Sequence, residues 1–508
     1  MTTKTKFALL TVLALVSACA CGRKTPDLPP VDADKFIRYA SGLSMESKLL
    51  GKVVNFDILL PADYLSDPQK RYPVVYMCHG LGDDNTSWND KWLRIEQKVI
   101  DLESQGLEPM IYVFPNASRT YYCNKYNGKY PYMDMFATEL VPFIDKTYRT
   151  IADRQHRATV GYSMGGFGAY ILAAKHPELF SISVPLSMSF RTDEQYMSES
   201  QDGWNYQWGS IFGGENESGE GRLTEYYKQH CPFYVFDKDN RGNLDSVHWF
   251  LHCGDDEEQL LIANDDLHVL MMDNGYRHEY RVADGAHTSG YWRKALEEVL
   301  PYIQSVMAGN DEWNYSWASP RPVDIEVDDN GVFCSEKYLE NAEETGFAFY
   351  VAYKSLDSEL VRSLISIMQR TTYKSFAILP CNLDEETLAS FVERMEAQYH
   401  IGGSSEKRAV LAIGDAGVDV FNARELFGRF YLEDISLPDD FDESMLEQGK
   451  FYYIGQSDES AHYSEMNKMY KLCKNTGAHY EYRCRNHNAD HAVSLQSAVE
   501  IMKEYLPL

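Results

Sequence analysis

From about residue 50 to residue 305 the chain alternates between short apolar runs and stretches whose apolar residues recur every three or four positions. "YPVVYMCHG" is nearly continuous in its apolar character up to Gly80, as in a strand buried on both faces, and "MIYVFPN" reads the same way. "VVNFDILLP", "RATVGYS", "VHWFLHCG" and "HEYRVADG" are further strands. "MFATELVPFIDKTY", "GGFGAYILAAKHPELF" and the closing "SGYWRKALEEVLPYIQSVM" carry helical spacing. Such alternation predicts an α/β domain, a mostly parallel sheet covered by helices on both faces. Residues 191–232 break the rhythm. "QYMSESQDGWNYQWGSIFGGENESGEGR" is rich in Gly, Trp and Tyr and follows the strand after the "GGFGAY" helix. An insertion at that point would hang over the sheet's C-terminal edge, and Trp204 and Trp208 are its candidate substrate contacts.

"GNDEWNYSWASPRPV", residues 309–323, reads as a linker. Beyond it the alternation resumes with "FAFYVAY", "SFAILPC", a helix at "EETLASFVERMEAQY", then "RAVLAIG", "KFYYIGQ", "AHYEYRC" and a last helix, "AVSLQSAVEIMKEYL". A chain of 508 residues is too long for one core. The pattern predicts a first α/β domain over 45–308 and a smaller second one over 324–508.

The N-terminus lies outside both. "MTTKTKFALLTVLALVSAC" has two lysines, a short apolar run and small residues before Cys19, the pattern of an export signal rather than a spanning helix. "VSAC" resembles a bacterial lipobox, in which cleavage precedes an acylated cysteine. The expectation is a signal peptide at 1–18, lipidation at Cys19, and a polar tether at 19–44 anchoring the protein in a bacterial cell envelope. The net charge of −28 repels phosphate backbones, which argues against a nucleic-acid partner. The ten cysteines form no CxxC pair, so no zinc site is implied. Cys78 and Cys253 fall in apolar strands and read as buried thiols.

The chemistry centres on "GYSMGG", a GxSxG motif between a strand and a helix. A sharp strand-to-helix turn exposes a serine oxygen at the sheet's C-terminal edge, above the unsatisfied N–H groups of the helix start. Ser163 is therefore the candidate nucleophile, and it needs a base and an orienting acid. In this arrangement they follow in the order acid, then histidine. "HCGDDEEQ" offers Asp255, Asp256, Glu257 and Glu258, with Glu257 and Asp256 foremost, and "DGAHTSGYW" offers His287. His79, in "CHGLGDD", precedes the serine and reads as a turn-shaping residue. A tetrahedral intermediate needs preorganised donors. The backbone N–H groups of Met164 and Leu81 are the candidates.

"YPVVYMCHGLGDDNTSW", "ELVPFIDKTYRT", "RATVGYSMGGFGAYILAAKHPELF" and "HEYRVADGAHTSGYWRKAL" together resemble the esterase D-type family of α/β-hydrolases, over about residues 45–305. That family includes feruloyl esterases, acetyl-xylan esterases and S-formylglutathione hydrolases. The resemblance implies the α/β-hydrolase fold and a Ser–acid–His carboxylester hydrolase with no metal and no cofactor. Family members usually carry Asp three residues after the loop's Gly, where this chain has Glu257. With the export signal, the resemblance favours a lipid-anchored esterase removing acetyl or feruloyl groups from polysaccharide or oligosaccharide side chains. Two alternatives are a non-catalytic carbohydrate-binding surface lipoprotein, and an acyltransferase with the same triad and a sugar acceptor.

The second half mirrors the first. "EPMIYVFPN" matches "YKSFAILPC", and "RATVGYSMGGFGAY" matches "RAVLAIGDAGVDVF" without a gap, setting Gly414 against Ser163. "WFLHCGDDE" matches "FYYIGQSDE", taken as setting Asp458 against Glu257, "HEYRV" matches "YEYRC", and His491 follows where a counterpart of His287 belongs. "AYKSLDS" stands where the first half has "HGLGDD". The second domain is expected to be a shortened hydrolase repeat that has lost its nucleophile.

Overall fold

A computed structural model describes residues 38–89, 93–257, 259–310, 333–334, 347–354, 376–399, 401–458 and 460–485. The expectations at Cys19, Glu258, the 309–323 linker beyond residue 310, and His491 fall outside these residues. Among the described residues no helix is long and apolar enough to cross a membrane.

The chain divides into two compact units, residues 1–251 with 287–311, and residues 252–286 with 312–508. One changeover, at residues 311–312, falls inside the stretch read as a linker, and the others set a further segment apart from the sequence pattern. The difference is the segment 252–286, whose buried polar groups bond to residues beyond 450, as described below.

The first unit is built on β1 (Tyr39–Ser47), β2 (Lys52–Leu59), β3 (Val74–Cys78), β4 (Ile111–Pro115), β5 (Arg157–Tyr162), β6 (Ile182–Leu186) and the start of β7 (His248–Gly254). β1 was not expected as a strand. It begins inside the stretch read as tether, and it forms because Ala40, Leu43 and Met45 bury one face against β2. The strand order is β1-β2-β4-β3-β5-β6-β7. β1 and β2 run antiparallel to their neighbours, while β4, β3, β5 and β6 run parallel. β3, β4, β5 and β6 are buried along their whole length, β3 and β4 as apolar runs and β5 and β6 with Arg157, Thr159 and Ser183 buried among their apolar residues. With the strand-to-helix turn after β5, this is the α/β-hydrolase fold.

The second unit contains the end of β7, β8 (His278–Ala283), β9 (Phe333–Cys334), β10 (Phe347–Tyr353), β11 (Phe376–Asn382), β12 (Arg408–Ile413), β13 (Arg429–Glu433), β14 (Phe451–Ser457) and β15 (His479–Arg485). From β8 the order runs β8-β15-β14-β13-β12-β10-β11-β9. Its strands repeat the first unit's plan. The series β2-β4-β3-β5-β6-β7 corresponds to β9-β11-β10-β12-β13-β14, with β9 antiparallel to β11 as β2 is to β4. The described strands of the second half thus follow the order and directions of those in the first.

Within this unit β8 and β15 run antiparallel, pairing Val282 with Cys484, and a local two-fold relates their polar groups. Asp458 Oδ2 lies 3.4 Å from Arg281 and accepts the Tyr280 N–H at 3.2 Å. In the mirrored place Asp255 Oδ2 is paired with Arg483 and accepts the Tyr482 N–H at 3.3 Å. Each arginine also bonds the acid two residues before it, Glu279 or Glu481, at 2.8 Å. The two-fold thus matches Asp458 to Asp255, not to Glu257. The helices Gln259–Asp273 and Tyr463–Thr476 meet through Asp265, which accepts from Tyr463, Tyr482 and Asn467.

Candidate active site

β5 ends at Tyr162 and the helix Met164–Lys175 begins two residues later, so the whole turn rests on Ser163. Its φ of 57° and ψ of −120° lie where a residue with a Cβ is strained. Two backbone bonds hold it there. Ser163 N–H donates to the Leu186 carbonyl at 3.0 Å, and its own carbonyl accepts from Ser189 at 3.0 Å. The flanking glycines are demanded by crowding. A Cβ on Gly161 would strike the Gly165 carbonyl, and one on Gly165 would strike the Cys78 carbonyl.

Ser163 stands at the helix N-cap, but its side chain caps nothing. Its Oγ is instead 2.9 Å from His287 Nε2. The sequence spacing of 124 residues is closed by the fold. His287 directly precedes Thr288, whose side chain caps the helix Ser289–Met307 by accepting the Tyr291 N–H. The imidazole is exposed and meets the Trp292 ring edge-on, with centroids 4.9 Å apart. Trp292 is itself fixed. It stacks on Tyr162 at 4.3 Å and donates its indole N–H to Ser187 Oγ at 2.8 Å. The sequence pattern alone assigns Trp292 no role. Its one signal was its place on the first turn of the helix that follows the histidine.

His79 is buried, and its ring is used up by the backbone. The Ala117 N–H donates to Nε2 at 2.9 Å, which leaves the ring proton on Nδ1, 2.8 Å from the Gly80 carbonyl. Burial also lowers its pKa, favouring the neutral ring. It shapes the turn, as its position suggested. The Leu81 and Met164 amides belong to two segments brought together by this packing, because Gly165 lies against the backbone of Cys78 and His79. Met164 opens the helix, and the first N–H groups of a helix have no acceptor within it.

The acidic turn after β7 separates its carboxylates by environment. Asp255 is buried and ion-paired with Arg483, and its Oδ1 accepts the Gly285 N–H at 3.1 Å. Burial pushes its carboxyl up, and the guanidinium pulls it back. Asp256 is exposed, with its carboxyl raised by partial burial and by the charge of Glu481. Glu257 is buried and accepts the Gly254 N–H at 2.9 Å. Carboxylate oxygens of Asp255, Asp284 and Glu481 lie within 4.8 Å of one another. Arg483 bridges to all three, so a guanidinium already serves as their cation.

Residues 47–303, just over half of the chain, match the family model described as putative esterase. The chain belongs to this putative esterase family.

Among relatives of this family member, 141 residues are 30% identical to an endo-1,4-β-xylanase/feruloyl esterase of Xylanibacter ruminicola, covering 26% of this chain and 19% of that protein. An esterase of Mycobacterium tuberculosis is 33% identical over 135 residues, 26% of this chain and 28% of that protein. The chain thus spans less than a third of these relatives' length. A solved ferulic acid esterase aligns at 28% identity over 53% of this chain and all of its own, with a TM-score of 0.45.

The family member's insertion corrects one expectation. Trp204 and Trp208 are fully buried and do not face a substrate. Trp204 donates its indole N–H to the Gly214 carbonyl at 2.8 Å, and Trp208 packs on Tyr121 at 4.5 Å and on Tyr196 at 5.1 Å. The physical reason is that an excursion of this length needs a core of its own, and the indoles are its largest apolar groups. The exposed aromatic beside them is Tyr206, 64% exposed, with the Arg119 guanidinium 3.6 Å from its ring centre. Among the described residues seven cysteines, Cys78 and Cys253 included, are free and buried.

Proposed function

We propose that the protein is a serine carboxylester hydrolase that removes acetyl or hydroxycinnamoyl groups from carbohydrate. The observation carrying this reading is the 2.9 Å approach of His287 Nε2 to Ser163 Oγ at a strained turn. Ser163 Oγ attacks the acyl carbonyl while His287 Nε2 takes its proton. The negative charge on the carbonyl oxygen is met by the Met164 and Leu81 N–H groups. Collapse of the intermediate breaks the bond to the sugar oxygen, which leaves with the proton from His287. Water then repeats the sequence on the acyl-serine and releases the acid. For the acid that orients His287 we choose Glu257, since Asp255 is committed to Arg483 and Asp256 is exposed.

The carbohydrate ester as substrate is supported by the xylanase and feruloyl esterase names of the relatives. The "VSAC" pattern supports lipidation at Cys19 and residence in a bacterial cell envelope. The test is a panel of p-nitrophenyl acetate, methyl ferulate and acetylated xylan, with released acid and any transfer product both measured. Release of acid from at least one, abolished by Ser163→Ala, is the expected result. Net transfer to added sugar in place of hydrolysis would make the protein an acyltransferase. No turnover and no fluorophosphonate labelling of Ser163 would make it a binding protein.

A further inference from the structure

We infer that Arg483 and Asp255 form a positioning pair for the histidine loop, so that a strand of the second repeat serves the catalysis of the first. The inference rests on the reading of Ser163 and His287 as nucleophile and base. Arg483 lies on β15 and is 7% exposed, and Asp255, at the end of β7, is 5% exposed. Asp255 joins three things. Its Oδ2 takes Arg483 and the Tyr482 N–H, and its Oδ1 takes the N–H of Gly285, two residues before His287 in the chain. The backbone adds two more ties between the acidic turn and the start of that loop. Asp255 N–H donates to the Ala283 carbonyl and Asp256 N–H to the Gly285 carbonyl, each at 3.1 Å. On its other side Arg483 reaches Asp284 at 3.5 Å, three residues before His287. One buried guanidinium is therefore tied, directly at Asp284 and through Asp255 at Gly285, to two successive residues of the segment that leads into the base. Arg483 touches neither Ser163 nor His287 and is a positioning residue.

The local two-fold supplies a control inside the molecule. Arg281 and Asp458 form the mirrored pair, buried to 5% and 1% exposure. Asp458 follows β14, in the half that carries Gly414, and Arg281 lies on β8. If burial of an ion pair were all that mattered, disturbing either pair would have the same consequence.

The experiment uses the full chain with p-nitrophenyl acetate turnover, thermal unfolding, and amide hydrogen exchange over residues 283–288. Arg483→Gln leaves Asp255 buried without its cation and is expected to destabilise the protein. The double variant Asp255→Asn/Arg483→Gln removes both charges, and Arg483→Lys keeps the charge without the planar fork. These two decide the question if Arg483→Gln does not fold. In the double variant kcat should fall at least about tenfold, because small misplacements of a catalytic group are costly, with KM changed less than about twofold. Exchange at 283–288 should quicken about tenfold, and Arg483→Lys should fall between this variant and wild type. Arg281→Gln/Asp458→Asn should leave kcat and that exchange within about twofold of wild type. A folded Asp255→Asn/Arg483→Gln protein with wild-type kcat and exchange would overturn the inference, as would an equal loss of kcat in the control pair. If turnover survives Ser163→Ala, the esterase reading fails instead, and the exchange rates alone decide whether the pair positions the loop.

Discussion

Ser163 and Gly414 occupy the same turn in two repeats, and only one of them has a side chain. Each follows a parallel strand, β5 or β12, and each has a φ of 57°. Each donates its N–H to the last residue of the next strand, Leu186 or Glu433, and accepts from the residue three further on, Ser189 or Ser436. Even the positive φ of 48° after that strand recurs, at Ser187 and Asp434. The second turn meets this conformation with glycine, the residue that adopts a positive φ at no steric cost. The first shows a serine held in the same conformation at a strain of about 1–3 kcal/mol. The backbone of the turn is common to both halves, and the strain is confined to the turn that carries a side chain.

The strongest way to break this comparison is to make the first turn a copy of the second. Ser163→Gly should lower kcat by about 10³-fold or more, since nucleophile and base act as a unit. It should also unfold at a higher temperature than Ser163→Ala, by about 0.5–2 kcal/mol of stability, because glycine relieves the strain that alanine keeps. Kinetics and calorimetry on the two variants check both parts. Equal stability would mean that the turn is unstrained. Next in size is the acid. Glu257→Gln should lower kcat about 10²-fold or more, while Asp256→Asn should change it less than about threefold. The reverse result on p-nitrophenyl acetate would move the assignment to Asp256.

Much of this was legible in the sequence, and the parts that were not share a cause. β3 and β4 could be read because parallel strands buried on both faces show unbroken apolar runs. Ser163 and His287 were singled out by their strand-end positions, and the fold brings Oγ and Nε2 to 2.9 Å. β13, "RFYLE", and the helix Gln259–Asp273 were missed. The first is five residues long with charge at both ends, and the second places Asn264, Asp265 and His268 in its buried face. Buried polar residues erase the periodicity that marks a helix, and they are buried because Tyr463, Tyr482 and Asn467, distant in sequence, satisfy Asp265. The same holds for Asp255, which sequence grouped with the catalytic acids and which the structure gives to Arg483. Partners some 200 residues away leave no local signal.

The repeats also differ between the sixth and seventh strands of the plan. The first repeat inserts residues 187–247 between β6 and β7, and the second joins β13 to β14 with residues 434–450. If Trp204 and Trp208 are the insertion's core, Trp208→Ala should cost about 3–5 kcal/mol of stability. KM should then shift alike for p-nitrophenyl acetate and methyl ferulate. A selective rise in KM for the ferulate would restore the indoles as substrate contacts. Tyr206→Ala is the matched variant. It removes an exposed ring packed on Arg119 and should leave stability within about 0.5 kcal/mol.

The reciprocal substitution should change activity least. Gly414→Ser puts a side chain at a positive φ, but a Cβ there meets no atom within 4 Å. The cost is therefore conformational rather than steric. The strain of placing a Cβ in that region is partly offset by the freedom that glycine no longer loses on folding, for a net loss of about 1 kcal/mol. The new hydroxyl should bring no turnover. The sequence reads "AYKSLDS" where "HGLGDD" follows β3, and a serine without an oxyanion site and a placed base is a poor nucleophile. The measurement is Gly414→Ser in a Ser163→Ala background, so that any ester hydrolysis or fluorophosphonate labelling must come from the second turn. Activity above that of Ser163→Ala alone would show that the second repeat keeps a working site around its glycine. Its absence, together with the expected small drop in stability, would show that the two turns share a backbone and nothing of the chemistry.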